Sequence, residues 1–178
     1  MDWNILVADD SQDDQFLIRR AMKKTAAPCS MYTVDDGAEA ISYISGSGEY
    51  GDRARFPFPD LLLLDLKMPR LGGFDVLRWL RASPYKSLPV IAHSTSRLDS
   101  DVRQAFELGA SDYLFKSPDL AAVAAALVSF IQRLGRSSNA TTPNRIGRPS
   151  VPPLFTAVSY SSRNAPPGPW AQSSEISP

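Results

Sequence analysis

The sequence predicts an α/β fold in which five βα units surround a parallel sheet, and three observations carry that expectation. Short apolar runs alternate with amphipathic stretches from residue 1 to about 136, the pattern of strands layered with helices. One run, Leu61-Leu62-Leu63-Leu64, is apolar at every position, as a strand buried on both faces must be. The runs also end in polar chemistry. Ile5-Leu6-Val7-Ala8 meets Asp9-Asp10, the leucine run meets Asp65, Val90-Ile91-Ala92 meets His93-Ser94-Thr95-Ser96, and Asp112-Tyr113-Leu114-Phe115 meets Lys116. Ligands bind at the carboxyl ends of strands in open α/β sheets, so these side chains are expected along one edge.

In chain order, the first strand is followed by a helix over Ser11 to Thr25. Ser11 is its N-cap, and Asp13 and Asp14 stand in the first turn, where the helix dipole favours acids. Ser30 to Val34 reads as the second strand and Gly37 to Ile44 as the second helix. Gly46 to Pro59 is a loop punctuated by glycine and proline and longer than most such connections. The leucine strand opens after Pro59-Asp60 and stops before Pro69. A helix over about Phe74 to Ala82, a strand over Leu88 to Ala92, a helix over about Ser100 to Leu108, the strand before Lys116 and a helix from about Asp119 to Leu134 complete the units. The expected domain spans residues 1–136. Residues 137–178, rich in proline, serine and asparagine and without a sustained period, are expected to form a disordered tail.

Bulk properties narrow the function classes. The 178 residues carry 19 basic and 19 acidic side chains, and a chain with no net charge is a poor candidate for direct nucleic-acid binding. The single cysteine, Cys29, rules out an internal disulfide and fits a reducing compartment. The single histidine, His93, rules out a His-rich metal site and reads as half-buried without a chemical role. No apolar run approaches the roughly 20 residues of a membrane span, and the first strand begins too early for a signal peptide, so a cytoplasmic protein without a membrane partner is expected.

The strand-end residues have a chemistry of their own. Asp9, Asp10 and Asp65 would form a pocket of like charges, which is costly unless a cation neutralises it. A hard ion with oxygen ligands resolves the conflict, and Mg2+ suits a site built from few carboxylates and several waters. Lys116 can pair with a phosphoryl oxygen and the Ser94 hydroxyl can donate to another. Phosphoryl transfer demands an in-line nucleophile and charge stabilisation, which this inventory supplies. Taken alone, Asp9-Asp10 would read as a solvated helix-start pair and Lys116 as a surface cation. Their joint placement at consecutive strand ends is what points to a site.

The order of Asp9-Asp10, Leu-Asp-Leu-Lys-Met-Pro around Asp65, Ser94 after Pro89-Val90-Ile91, and Tyr113-Leu114-Phe115-Lys116 resembles the receiver domain of two-component response regulators over residues 1 to about 136. The resemblance implies a flavodoxin-like, doubly wound five-stranded sheet in the order 2-1-3-4-5 with five helices. It implies that Asp65 accepts a phosphoryl group from a sensor histidine kinase, and that Asp10, Asp65 and the Lys67 backbone carbonyl bind Mg2+, with Asp9 acting through a water. It further implies that Ser94 and Lys116 contact the phosphoryl group and that Tyr113 is the aromatic switch, turning inward as Ser94 moves. Thr95, Ser96 and Lys67 would line the route of attacking water, and Asp13 and Asp14 would touch the kinase. The output face would be the fourth helix, fifth strand and fifth helix.

Three details differ from the common pattern. The turn after the acceptor, Pro69-Arg70-Leu71-Gly72-Gly73, keeps glycine but lacks the usual acid; Ser117-Pro118 replaces a proline directly after the lysine; and His93 occupies a position normally apolar. Arg53, Arg55 and Arg70 read as a solvated basic set. The loop with Gly48-Glu49-Tyr50 and Pro57-Phe58-Pro59-Asp60 and the Lys-Ser-Pro ending are similar to stand-alone receivers that partner bacterial phytochrome kinases. The fifth helix, with Leu120, Val123, Leu127, Val128, Phe130, Ile131 and Leu134 set among alanines, suggests a homodimer through the output face. Two other classes fit the residues less well. A hydrolase using aspartyl phosphate needs a second aspartate two residues after the first, where this chain has Lys67, and a scaffold that is never phosphorylated would be expected to lose some of Asp9, Asp10, Asp65 or Lys116.

Overall fold

A computed structural model describes residues 2–138. The first strand, β1 (Trp3–Ala8), and the leucine strand, β3 (Leu61–Leu64), lie side by side and parallel, pairing Ile5 with Leu61 and Ala8 with Leu64. With β2 (Cys29–Val34), β4 (Val90–Ser94) and β5 (Asp112–Phe115) they form one five-stranded sheet in the order β2-β1-β3-β4-β5, every neighbouring pair parallel, as expected.

The two-residue period of a strand explains why β3 needs four leucines. Leu62 and Leu64 join one apolar cluster and Leu61 and Leu63 the other, so the sheet is covered on both faces. The first cluster gathers Ala40, Tyr43 and Ile44 of α2 (Gly37–Ser45), Val76, Leu77 and Leu80 of α3 (Gly73–Ala82) and Ala105 of α4 (Asp99–Glu107). The second gathers Ile18, Ala21 and Met22 of α1 (Gln12–Lys23) with Val123, Ala124, Leu127, Phe130, Ile131 and Leu134 of α5 (Leu120–Ser138). Each β3 leucine is at most 1% exposed, so truncating one to alanine removes roughly 2–5 kcal/mol. The apolar side of α5 is thus spent within its own domain, while Ala121, Ala125, Ser129 and Gln132 face outward.

The differences from the expected elements have local causes. α1 starts after Ser11, whose hydroxyl accepts from the Asp14 N–H at 3.2 Å, and it ends at Lys23, where Thr25 Oγ1 donates to the Met22 carbonyl at 2.7 Å. β4 begins at Val90, past Pro89, which has no N–H to offer a ladder and contributes only its carbonyl to Leu62. It then runs through His93 to Ser94, two residues beyond its expected end. α5 continues to Ser138, past the expected end at Leu134; the rest of the expected tail lies outside the described residues. The described peptide bonds include no cis bond.

The 46–59 connection is built rather than loose. A 3-10 turn over Gly48–Gly51 brings Tyr50 to 5.1 Å and Phe56 to 5.9 Å from the ring of buried Tyr43. Arg53, expected in solvent, instead donates to the Tyr43, Ile44 and Phe56 carbonyls and so caps the end of α2, where a cation also meets the negative pole of the helix.

Candidate functional site

The sheet's last rungs carry the site. Asp9, one residue past β1, donates its N–H to the Val34 carbonyl at 3.1 Å; Asp65, one past β3, donates to Ala8 at 2.8 Å; Lys116, one past β5, donates to Ser94 at 2.9 Å. Backbone pairing therefore fixes these three residues even though they stand outside the strands, and it places their side chains over one edge.

There a carboxylate oxygen from each of Asp9, Asp10 and Asp65 lies within 4.8 Å of the others. Asp9 and Asp65 are 1% and 5% exposed, while Asp10 faces solvent. Lys116 Nζ sits 2.8 Å from Asp9 Oδ2, 2.7 Å from Asp65 Oδ2 and 2.8 Å from Asp14 Oδ2. The contacts to Asp65 and Asp14 are directed hydrogen bonds, whereas Asp9 Oδ2 lies outside hydrogen-bond geometry and is a buried carboxylate oxygen with an ion contact alone. The other oxygens are held by the backbone: Asp9 Oδ1 accepts from the Ser11 N–H at 3.0 Å and Asp65 Oδ1 from the Lys67 N–H at 2.9 Å.

Burial drives the Asp9 carboxyl above the usual carboxylate range, against the opposing pull of Lys116 and the Ser11 N–H. Burial would lower Lys116, yet its contacts with the Asp14, Asp65 and Asp9 carboxylates outweigh it and raise its pKa, so the ammonium stays charged. One cation against four acids leaves the edge negative. Three clustered carboxylates with a buried oxygen lacking a directed partner fit a divalent cation that takes oxygen ligands.

Ser94 and Tyr113 flank this cluster. Ser94 is fully buried and its hydroxyl accepts from the Ser96 N–H at 3.2 Å. Tyr113 is buried, lying inward, and its hydroxyl donates to the Ser96 carbonyl at 2.9 Å. Ser96 Oγ in turn donates to Asp101 in the first turn of α4, so a chain of hydrogen bonds runs from β5 through the β4–α4 connection to that helix. The Tyr113 phenol is pushed up by burial.

Asp9, Asp10, Asp65 and Lys116 are brought together here, with Ser94 and Tyr113 on the neighbouring strands β4 and β5, and several residues not singled out for this role stand close by. Asp14, expected to face a kinase from the first turn of α1, is turned against Lys116. Its signal in the sequence is the Ser11 N-cap, which fixes residue 14 at the third helical position. Gln15 is buried, its amide donating to the Asp9 carbonyl at 2.6 Å and to Asp35 at 2.8 Å, and nothing in its sequence context marks it out. Arg70, expected to be solvated, has a left-handed backbone with φ 64° and pairs with Asp36, the N-cap of α2. His93 is fully buried rather than half-buried, with no hydrogen bond to either ring nitrogen, and desolvation lowers its pKa to about 4.

A family model described as "Response regulator receiver domain" matches residues 5–128. Response regulator Rcp1 of Synechocystis sp. is 33% identical over 117 residues, which cover 65% of this chain and 78% of that protein. A phosphorylated cyanobacterial phytochrome response regulator, RcpA, superposes with a TM-score of 0.67 at 32% identity, covering 81% of this chain and 100% of that one. The Mn2+-bound form of Rcp1 superposes with a TM-score of 0.65 at 32% identity, over 72% and 94% of the two chains. Among the described residues no helix is long and apolar enough to cross a membrane.

Proposed function

Because the chain belongs to the response regulator receiver domain family of two-component systems, we propose that it is a phosphorylation switch whose acceptor is Asp65. The observation that carries this reading is the setting of Asp65: a carboxylate 5% exposed, one residue past a buried strand, with its Oδ2 bound by Lys116 at 2.7 Å and two further aspartates beside it. A carboxylate oxygen of Asp65 attacks the phosphorus of a phosphohistidine. The P–N bond breaks, an acyl phosphate forms, and the imidazole leaves with its electron pair and takes a proton. Lys116 neutralises a phosphoryl oxygen, and Ser94 donates its hydroxyl to another. Asp10, Asp65 and the Lys67 carbonyl, with Asp9 through a water, would hold Mg2+, which supplies charge neutralisation for the transferring group.

The added charge and acceptor oxygens then give Ser94 and Lys116 new partners in place of those they hold without it. Tyr113, tied to Ser96 and through it to α4, transmits that change to the face formed by α4, β5 and α5. The chain is not an enzyme toward other molecules and catalyses only the formation and loss of its own phosphoryl group. Lys67 at the position of a hydrolase's acid/base aspartate supports that restriction.

Similarity to RcpA, described as a cyanobacterial phytochrome response regulator, supports a phytochrome-type histidine kinase as the donor. A homodimer through the α4-β5-α5 face is supported by exposed Leu98 ahead of α4, 62% accessible, and by the small outward Ala121 and Ala125 of α5. The test of the phosphorylation reading is intact mass after incubation with acetyl phosphate and Mg2+. A single phosphoryl adduct that vanishes in Asp65→Asn is expected; no adduct, or one that survives the substitution, removes it.

A further inference from the structure

Lys116 has three N–H donors and three carboxylates around its ammonium, and the three are not equivalent. Asp9 and Asp65 offer the oxygens that a divalent cation would draw on, and Asp65 is also the oxygen that a phosphoryl group would occupy, so both contacts are exchanged during the proposed cycle. Asp14 is needed for neither. It projects from the first turn of α1, its own N–H bound to Ser11 Oγ, and reaches Lys116 Nζ at 2.8 Å.

Beside this pair is a cavity of about 30 Å³ lined also by apolar Leu17, Ile18, Leu120 and Val123, by His93 and by the neutral Ser117. His93 is 4% exposed, has no hydrogen bond to either ring nitrogen and is uncharged at neutral pH. Asp14 is therefore the one group on that wall able to balance a positive charge.

We propose that Asp14 is a positioning residue for Lys116, holding the ammonium at the site while a divalent cation and the phosphoryl group take over Asp9 and Asp65. A cation entering the cluster repels the ammonium, and the ammonium can shift its pairing toward α1 only if an acid is there to receive it. Without Asp14 it must stay on Asp9 and Asp65 and compete. Its only remaining carboxylates are then the two that the cation and the phosphoryl group draw on.

The inference rests on the phosphorylation reading, and two measurements on the full chain separate them. Mg2+ is titrated calorimetrically into wild type, Asp14→Asn and Asp13→Asn, and acetyl phosphate labelling is followed by intact mass at saturating Mg2+. Asp14→Asn is expected to bind Mg2+ roughly tenfold more weakly, the usual scale for losing a partner behind a metal ligand, and to label severalfold more slowly. Asp13→Asn, which removes the same charge from the neighbouring exposed position, is expected to stay near wild type. If Asp14→Asn matches wild type in both measurements, or Asp13→Asn loses as much, the positioning role is overturned and the phosphorylation reading stands. A wild type that takes up no phosphoryl group overturns that reading, and the inference with it.

Discussion

The ammonium of Lys116 lies 2.7 Å from Asp65 Oδ2, although 51 residues separate the two, and the same ammonium touches Asp9 at 2.8 Å. In the metal-free protein this lysine is the counter-ion that makes two nearly buried carboxylates tolerable. Removing one partner of such a group leaves uncompensated charge, at roughly 3 kcal/mol or more. Lys116→Met is accordingly expected to lower unfolding stability by about that amount in EDTA, and to recover most of it in millimolar Mg2+. Denaturant titrations in the two buffers check this, and equal losses with and without Mg2+ would count against a cation site at the cluster.

Tyr113 joins β5 to the β4–α4 connection through one hydroxyl, which donates to the Ser96 carbonyl at 2.9 Å. Tyr113→Phe keeps the buried ring and deletes that bond, so a loss of about 1 kcal/mol is expected. The Ser96–Asp101 bond that pins the start of α4 should loosen with it. Amide exchange over residues 95–101 is expected to quicken in the variant while the β3 strand stays protected. Unchanged exchange there would detach Tyr113 from the switch.

The leucine run, the strand-end acids and Ser11 were legible in the sequence because each is a local pattern: a two-residue period, a boundary, a cap. Arg53 and Arg70 were not. Their partners, the Tyr43 and Ile44 carbonyls and Asp36, are set by how α2 packs against two loops, which no local pattern encodes. The sequence shows the helix position of Asp14 and not its reach, because the contact to Lys116 spans 102 residues and exists only once α1 covers the sheet edge. The polarity of His93 predicts half-burial, whereas its place inside β4, between covered faces, is what buries it.

The second glycine after the acceptor, Gly73, has a steric reason. A Cβ on Gly73 would stand 2.3 Å from the Asp65 carbonyl oxygen and 2.8 Å from the Leu66 Cα, both backbone atoms that cannot turn aside. Gly73→Ala should therefore push α3 and the acceptor apart, costing roughly 1–3 kcal/mol and weakening Mg2+ binding at the same time. Thermal unfolding together with a Mg2+ titration tests the coupling. A variant that loses stability but keeps wild-type Mg2+ affinity would show that the clash is relieved away from Asp65.

His93 should make stability depend on pH in a defined window. Its pKa falls from 6.5 to about 4 on folding, with burial the main cause, Lys116 adding to it and Asp14 opposing it. Between those values the unfolded chain binds a proton that the folded one refuses, so this contribution is complete above pH 6.5 and is lost as pH falls toward 4. The full effect is about 3 kcal/mol, superimposed on whatever the carboxylates contribute. Subtracting the curve for His93→Leu, which fills the same buried place without a titrating group, isolates it. Denaturant midpoints at pH 7, 6, 5 and 4.5 are expected to fall more steeply for wild type than for the variant, and parallel curves would show that the imidazole is already protonated or solvated in the folded protein.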